Sequence, residues 1–115
     1  MITKFGGMNI SSPEPKKMVE FYEKIGVPVI ERDENYDGCT LGFSENEPVI
    51  WVWDENKWGK SNKGAVCFVF NADDLTETYE ELKAKGVNLE PPKQAVWGGT
   101  ELYVYDPDGN TILIL

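Results

Sequence analysis

The chain has 115 residues, of which 11 are Lys or Arg, 20 are Asp or Glu and none is His, and 41% are hydrophobic. We expect one globular domain spanning residues 1–115, with a core that needs no disulfide or metal. The lack of His excludes a Ser-His-Asp triad, a Cys-His dyad and any imidazole metal site. The net charge of −9 disfavours nucleic acids and anionic membranes as partners and favours neutral or cationic ones.

In the first half, an extended run over residues 5–11 predicts a strand, and Ser12-Pro13-Glu14-Pro15 is typical of a helix start. A serine hydroxyl accepts hydrogen bonds from free amides there, and proline fits the first turn. The apolar stripe of this helix comprises Met18, Phe21, Tyr22 and Ile25. Gly26 permits a left-handed stop. Further strands are predicted over residues 27–32, 40–43 and 49–53.

The second half repeats this order after a polar connection over residues 55–64. A strand is predicted over residues 65–71. A helix then begins at Asp74, with Glu77 as capping-box partner, and ends at Gly86. The last strands are predicted over residues 87–89, 101–105 and 111–115.

The two helices make an internal repeat, because Asp74 follows Glu14 by 60 residues and Gly86 follows Gly26 by 60. The repeated unit is βαβββ, with module one over residues 1–56 and module two over residues 63–115. The fold class predicted is α+β.

Two cysteines, Cys39 and Cys67, are too few and too far apart for a disulfide scaffold, which favours reduced thiols in the cytoplasm. The first nine residues lack the features of a signal peptide, and no run approaches the ~18 apolar residues of a membrane span. We therefore expect a cytoplasmic protein that does not insert into membranes.

Three motifs carry a family resemblance over essentially the whole chain. They are Phe21-Tyr22-Glu23-Lys24-Ile25-Gly26, the helix from Asp74 that ends in Leu82-Lys83-Ala84-Lys85-Gly86-Val87, and Tyr105-Asp106-Pro107-Asp108-Gly109-Asn110. Together with the two βαβββ modules, they resemble the vicinal oxygen chelate superfamily of glyoxalases, bleomycin-resistance proteins and dioxygenases. The resemblance implies cupped mixed sheets and a homodimer. Taken by themselves, residues 106–110 predict a tight turn, and Phe21 and Tyr22 predict core positions.

Chelating members take metal ligands, usually two His and one or two Glu, from the first and last strand of each module. The resemblance aligns those places with Gly7 or Phe5, with Trp51, with Ala65 followed on the same face by Cys67, and with Leu113. One thiol among Gly, Trp, Ala and Leu cannot supply three or four donors. We therefore expect no metal and no other cofactor. The nearest carboxylate, Glu47, is expected to be a solvated strand end.

Aromatic residues take the place of the metal ligands. Trp51 and Trp53 share one face of a strand whose other face carries Ile50 and Val52. The candidate ligand-binding residues are Trp51, Trp53, Cys67, Trp97, Tyr103 and Leu113, which Trp58 and Tyr105 could join. The rings either recognise flat or cationic groups or simply fill the cup as core.

Two neighbouring features are expected to be structural. Cys67 has no His to activate it and is predicted to be a buried, inert thiol. Gly98-Gly99 is either a mobile lip or, as turn chemistry favours, a hairpin turn.

The leading functional hypothesis is metal-independent binding or sequestration of a small organic molecule, aromatic or cationic, as the resemblance to bleomycin-resistance proteins implies. No catalytic residue is assigned. One alternative is a glyoxalase-like lyase or isomerase, which needs metal donors that the alignment lacks. Another is an interaction module whose cup is filled by its own rings.

Overall fold

The structure, a computed structural model, describes residues 1, 3, 5–60, 66–95 and 97–115. The chain divides into two units, Met1–Gly64 and Ala65–Leu115. Within the described ranges, no helix has the length and apolar character that crossing a bilayer requires.

The first unit is a four-stranded sheet with one long helix. Its elements are β1 (Gly7–Ser12), α1 (Pro15–Lys24), β2 (Val29–Glu31), β3 (Gly38–Leu41), β4 (Val49–Asp54) and α2 (Glu55–Trp58). The strand order is β1-β4-β3-β2, in which β1 runs parallel to β4 and the other neighbours are antiparallel.

The second unit has the same plan. Its elements are β5 (Cys67–Phe70), α3 (Leu75–Ala84), β6 (Lys93–Gln94), β7 (Thr100–Tyr105) and β8 (Thr111–Ile114). The order is β5-β8-β7-β6, and β5 runs parallel to β8. The predicted α+β fold with two βαβββ modules is thus confirmed.

Two stretches of the chain, residues 87–94 and 55–58, differ from the sequence prediction. Residues 87–89 do not form a strand, since Leu89 makes only an isolated bridge to Val104. Pro91 and Pro92 follow and have no N–H groups for a ladder, so regular pairing resumes only at β6. In the predicted connection, the Asp54 side chain accepts a hydrogen bond from the Asn56 amide at 2.9 Å and starts α2.

The ends of the long helices follow the predicted signals. Asp74 caps α3 by accepting a hydrogen bond from the Glu77 amide at 2.9 Å. Ser12 accepts from the Glu14 amide at 3.1 Å, one residue before α1 begins. Beyond the helices, Gly26 and Gly86 adopt left-handed φ values of +106° and +75°.

Each core lies between the long helix and one face of its sheet. In the first unit, α1 packs against β1, β3 and β4, and Phe21 and Tyr22 are buried as predicted, with their rings edge to face at 5.2 Å. Most of the buried apolar residues in the strands alternate along the chain. They are Ile10, Cys39, Leu41, Ile50 and Val52 in the first unit, and Phe68, Leu102, Val104, Ile112 and Ile114 in the second.

The other face of each sheet is turned away from its long helix. We call these the first helix-free face, which carries Asn9, Thr40, Trp51 and Trp53, and the second helix-free face, which carries Cys67, Val69, Glu101, Tyr103, Tyr105 and Leu113.

The turn predicted between the last two strands is confirmed. Asp106 is buried, and its carboxylate accepts hydrogen bonds from the Asp108 amide at 3.0 Å and from the Asn110 amide and side chain, each at 2.8 Å. Gly109 has a φ of +84°. These bonds hold the turn that returns the chain from β7 to β8.

Candidate functional site

The first helix-free face presents two indole rings beside polar side chains. Trp51 lies between Asn9 of β1 and Thr40 of β3 in the strand register. The Trp53 indole donates a hydrogen bond to the side-chain oxygen of Asn9 at 3.3 Å. Trp51 is half-buried and Trp53 is 36% exposed. The predicted placement of both rings on one face is confirmed, and both keep surface that another molecule could cover.

On the second helix-free face, Val69, Leu113 and Tyr103 form a row across β5, β8 and β7. Cys67 lies on the same face, and its thiol-bearing side chain is exposed. The prediction of a buried thiol is therefore wrong. The reason is that β5 is an edge strand and Cys67 points away from α3, so the core does not cover it.

A buried carboxylate joins this face at β7. Glu101 is only 9% exposed, and one of its oxygens accepts a hydrogen bond from the Trp97 indole at 3.2 Å. Its other oxygen accepts from the Tyr103 phenol at 2.6 Å, which raises the pKa of Tyr103. The Lys93 ammonium lies 4.5 Å from the centre of the Tyr103 ring. We call Lys93, Trp97, Glu101 and Tyr103 the Glu101 cluster.

The Glu101 cluster was not predicted as a whole. Trp97 and Tyr103 were candidate residues, whereas Glu101 and Lys93 were not. The alternation of Glu101, Tyr103 and Tyr105 along one strand is the signal that could have placed this carboxylate among the rings. Tyr105 repeats the pattern, since its phenol donates to Glu90 at 2.5 Å, which raises the pKa of Tyr105.

A hairpin positions Trp97 over this face. The Ala95 amide donates to the Gly99 carbonyl at 2.7 Å, and the Gly98 amide donates to the Ala95 carbonyl at 3.0 Å. Gly98 has a φ of +101°. The prediction of a hairpin turn at Gly98-Gly99 is thus confirmed, and Trp97 stays 66% exposed. Trp58, by contrast, lies on α2 rather than on a strand, and it is exposed.

Among the described residues, the positions that the family resemblance assigns to metal ligands carry no set of donors that could hold a metal ion. Trp51, Cys67 and Leu113 do lie on helix-free faces, but Ala65 falls outside the described residues. Gly7 has no room for a ligating side chain, because a Cβ there would lie 2.0 Å from the Val49 carbonyl oxygen. Glu47 is exposed, as expected. Over the described ranges, no group of three or more His, Cys, Asp or Glu side chains could hold a metal ion.

Comparisons with known proteins point to one family. The model of the Glyoxalase/Bleomycin resistance protein/Dioxygenase superfamily matches residues 4–114. The protein YraH of Bacillus subtilis (strain 168) is 30% identical to this chain in an alignment 111 residues long. The match covers 86% of this chain and 87% of YraH.

Solved structures share the fold. Lactoylglutathione lyase from Agrobacterium tumefaciens superposes with a TM-score of 0.75 at 15% identity, covering 98% of this chain and 92% of that one. A bleomycin-binding protein complexed with bleomycin gives a TM-score of 0.67 at 21% identity, covering 97% of each chain. Likeness at these identities shows the fold alone.

Proposed function

The chain belongs to the glyoxalase/bleomycin resistance protein/dioxygenase superfamily, and on that basis we propose that it binds and sequesters a small organic molecule without a metal ion. One observation carries the proposal: Trp51 and Trp53 stand partly exposed on the first helix-free face, and the resemblance to chelating members aligns Trp51 with a metal ligand. Sequestration lowers the free concentration of the ligand and needs no chemical step. No catalytic residue is therefore assigned.

The chemistry of the first helix-free face favours a flat ligand. Indole rings offer large apolar surfaces for stacking and attract cations to their faces. The hydrogen bond from Trp53 to Asn9 holds one ring in place before a ligand arrives, which reduces the conformational entropy lost on binding.

The charge of the chain favours a cationic or neutral ligand over an anionic one. A net charge of −9 attracts cations over a Debye length of about 8 Å at physiological salt. Stacking determines most of the affinity, while the net charge mainly raises the association rate. Added salt should therefore slow association more than it speeds dissociation.

Isothermal titration with bleomycin and with a simple aromatic dye cation, each in buffer containing a chelator, tests the proposal. Trp51→Ala should weaken binding at least tenfold, about 1.4 kcal/mol, because the ligand loses a stacking surface. Trp51→Phe should retain most of the affinity, which separates loss of the ring from misfolding. Trp58→Ala is the matched control and should bind like the parent chain, since Trp58 lies on α2.

Several results would contradict this function. One metal ion per chain in protein purified without a His tag would do so, as would metal-dependent turnover of the glutathione hemithioacetal of methylglyoxal, the outcome expected of a glyoxalase-like lyase. Absence of binding by bleomycin, the dye and a neutral aromatic would instead favour a self-filled interaction module.

The proposal includes a cytoplasmic homodimer in which modules 1–56 and 63–115 act as one domain. Native mass spectrometry tests the dimer directly.

A further inference from the structure

The Glu101 carboxylate is buried, yet the two side chains that hydrogen-bond to it within the described part of the chain are uncharged. Trp97 and Tyr103 satisfy its oxygens at 3.2 and 2.6 Å, but a neutral donor does not cancel the negative charge. A buried charge is costly unless an opposite charge lies nearby. We therefore expect a cation to lie near this carboxylate on the second helix-free face.

Lys93 supplies a cation at this place. Lys93 and Glu101 are partners in the register of β6 and β7, so their side chains share a face. The ammonium lies over the Tyr103 ring, 4.5 Å from its centre, within the range of a cation–π contact. The same ring donates its phenol hydrogen to Glu101. The positive charge thus occupies the aromatic surface beside the carboxylate.

The contact that Lys93 makes is one that a ligand could replace. Lys93 is exposed and lies on a strand of two residues, and a lysine ammonium is strongly hydrated on a flexible stem. When it swings into water, it uncovers a face of Tyr103, whose phenol shares the Glu101 carboxylate with the exposed indole of Trp97. Two aromatic rings and a carboxylate are the groups that recognise alkylated ammonium ions.

We propose that the Glu101 cluster binds an organic ammonium ion, and that the Lys93 ammonium is a built-in occupant which the ligand displaces. The inference goes beyond the proposed function, since it assigns a site for an ammonium group to the second helix-free face by itself. It assigns Glu101 and Tyr103 to recognition of that group, and it makes Lys93 a competitor that lowers the apparent affinity.

The test uses benzyltrimethylammonium as the probe and the Trp97 indole N–H resonance of ¹⁵N-labelled protein as the signal. Because this N–H bonds to Glu101, its chemical shift responds to a cation at the carboxylate. Lys93→Met should tighten binding about two- to fivefold, the range of an exposed cation–π contact. Glu101→Gln should weaken it at least fivefold.

Lys57→Met is the matched control. Lys57 belongs to the first unit, lies 5.1 Å from the centre of the Trp58 ring and forms an ion pair with Asp37. Its replacement changes the net charge by the same amount as Lys93→Met. It should change affinity less than Lys93→Met, and Lys93→Arg should leave the affinity near that of the parent chain. Benzyl alcohol, a neutral probe, should not respond to Lys93→Met.

The inference is wrong if Lys93→Met leaves affinity unchanged, weakens it, or strengthens it no more than Lys57→Met does. Since Lys93 is exposed, this outcome can be read even if Glu101→Gln fails to fold. Ligand binding that depends on Trp51 but not on Lys93 and Glu101 would refute this site and leave the proposed function standing. If neither the cations nor the neutral aromatics bind, both are wrong.

Discussion

A side chain at Gly7 would clash with the backbone of β4. Gly7 opens β1 with a φ of +149°, and a Cβ added there would lie 2.0 Å from the carbonyl oxygen of Val49. Carbon and oxygen atoms that are not bonded normally stay about 3.3 Å apart or more. Gly7→Ala must therefore push the start of β1 away from β4 by about 1 Å.

Two effects lower the stability of the Gly7→Ala variant. Alanine at a glycine-only backbone conformation is strained by about 1–3 kcal/mol. Displacing β1 also loosens its first contacts with β4, including the hydrogen bond from the Val49 amide to the Gly6 carbonyl at 3.2 Å. A lost hydrogen bond of this kind costs about 1 kcal/mol. We expect Gly7→Ala to lower the free energy of unfolding by about 2–4 kcal/mol.

Urea denaturation monitored by circular dichroism measures this loss. With a slope of about 2 kcal/mol per M, the midpoint should fall by about 1–2 M. Gly26→Ala is the control, since its φ is +106° and nothing lies within 4 Å of an added Cβ, so only the backbone strain applies. If Gly7→Ala costs no more than Gly26→Ala, the close approach of β4 does not constrain β1. The same crowding predicts that Gly7→His will not restore a metal ligand.

Two further predictions concern titratable groups. The hydrogen bond to Glu101 raises the pKa of Tyr103 above 10.0, so Glu101→Gln should lower it. An ultraviolet titration measures the pKa, and the Tyr103→Phe variant shows which transition belongs to Tyr103. Because the folded-state pKa is raised, the bond stabilises the fold fully below about pH 10 and this stabilisation is lost as pH rises through the folded pKa. An unchanged pKa would refute the contact. Exposed Cys67 should react at once with Ellman's reagent, whereas Cys39 is buried, its pKa raised mainly by desolvation, and should react only on unfolding. Equal rates would contradict this.

Local chemistry explains why the helices and the turn could be predicted from the sequence. The bond from the Glu14 amide to Ser12, the cap at Asp74 and the turn around Asp106 each depend on a side chain that bonds to an amide a few residues away. Residues 87–89 were misassigned because β-propensity carries no information about the partner strand, while Pro91 and Pro92 prevent pairing beyond a single bridge.

In the candidate site, only the features that follow from the alternation of side chains along a strand could be predicted from the sequence. Period two places Trp51 with Trp53 and Tyr103 with Tyr105 on helix-free faces. The burial of Glu101 depends instead on the hairpin that returns Trp97 to it. The exposure of Cys67 depends on β5 being an edge strand. Both are properties of tertiary structure that no single segment encodes.

The position of each last strand has a consequence for folding during synthesis. β4 and β8 come last in their sheets but lie inside the strand order, each between a parallel and an antiparallel neighbour. Neither sheet can close before that strand emerges from the ribosome, and such non-local parallel pairing is slow to form. The first sheet can close once residue 54 is free, whereas the second waits for residue 114. Until β8 has emerged, the apolar side chains of Phe68 and Leu102 lack the strand that they pack beside. A pause in translation before β8 is complete would therefore favour aggregation of the nascent chain.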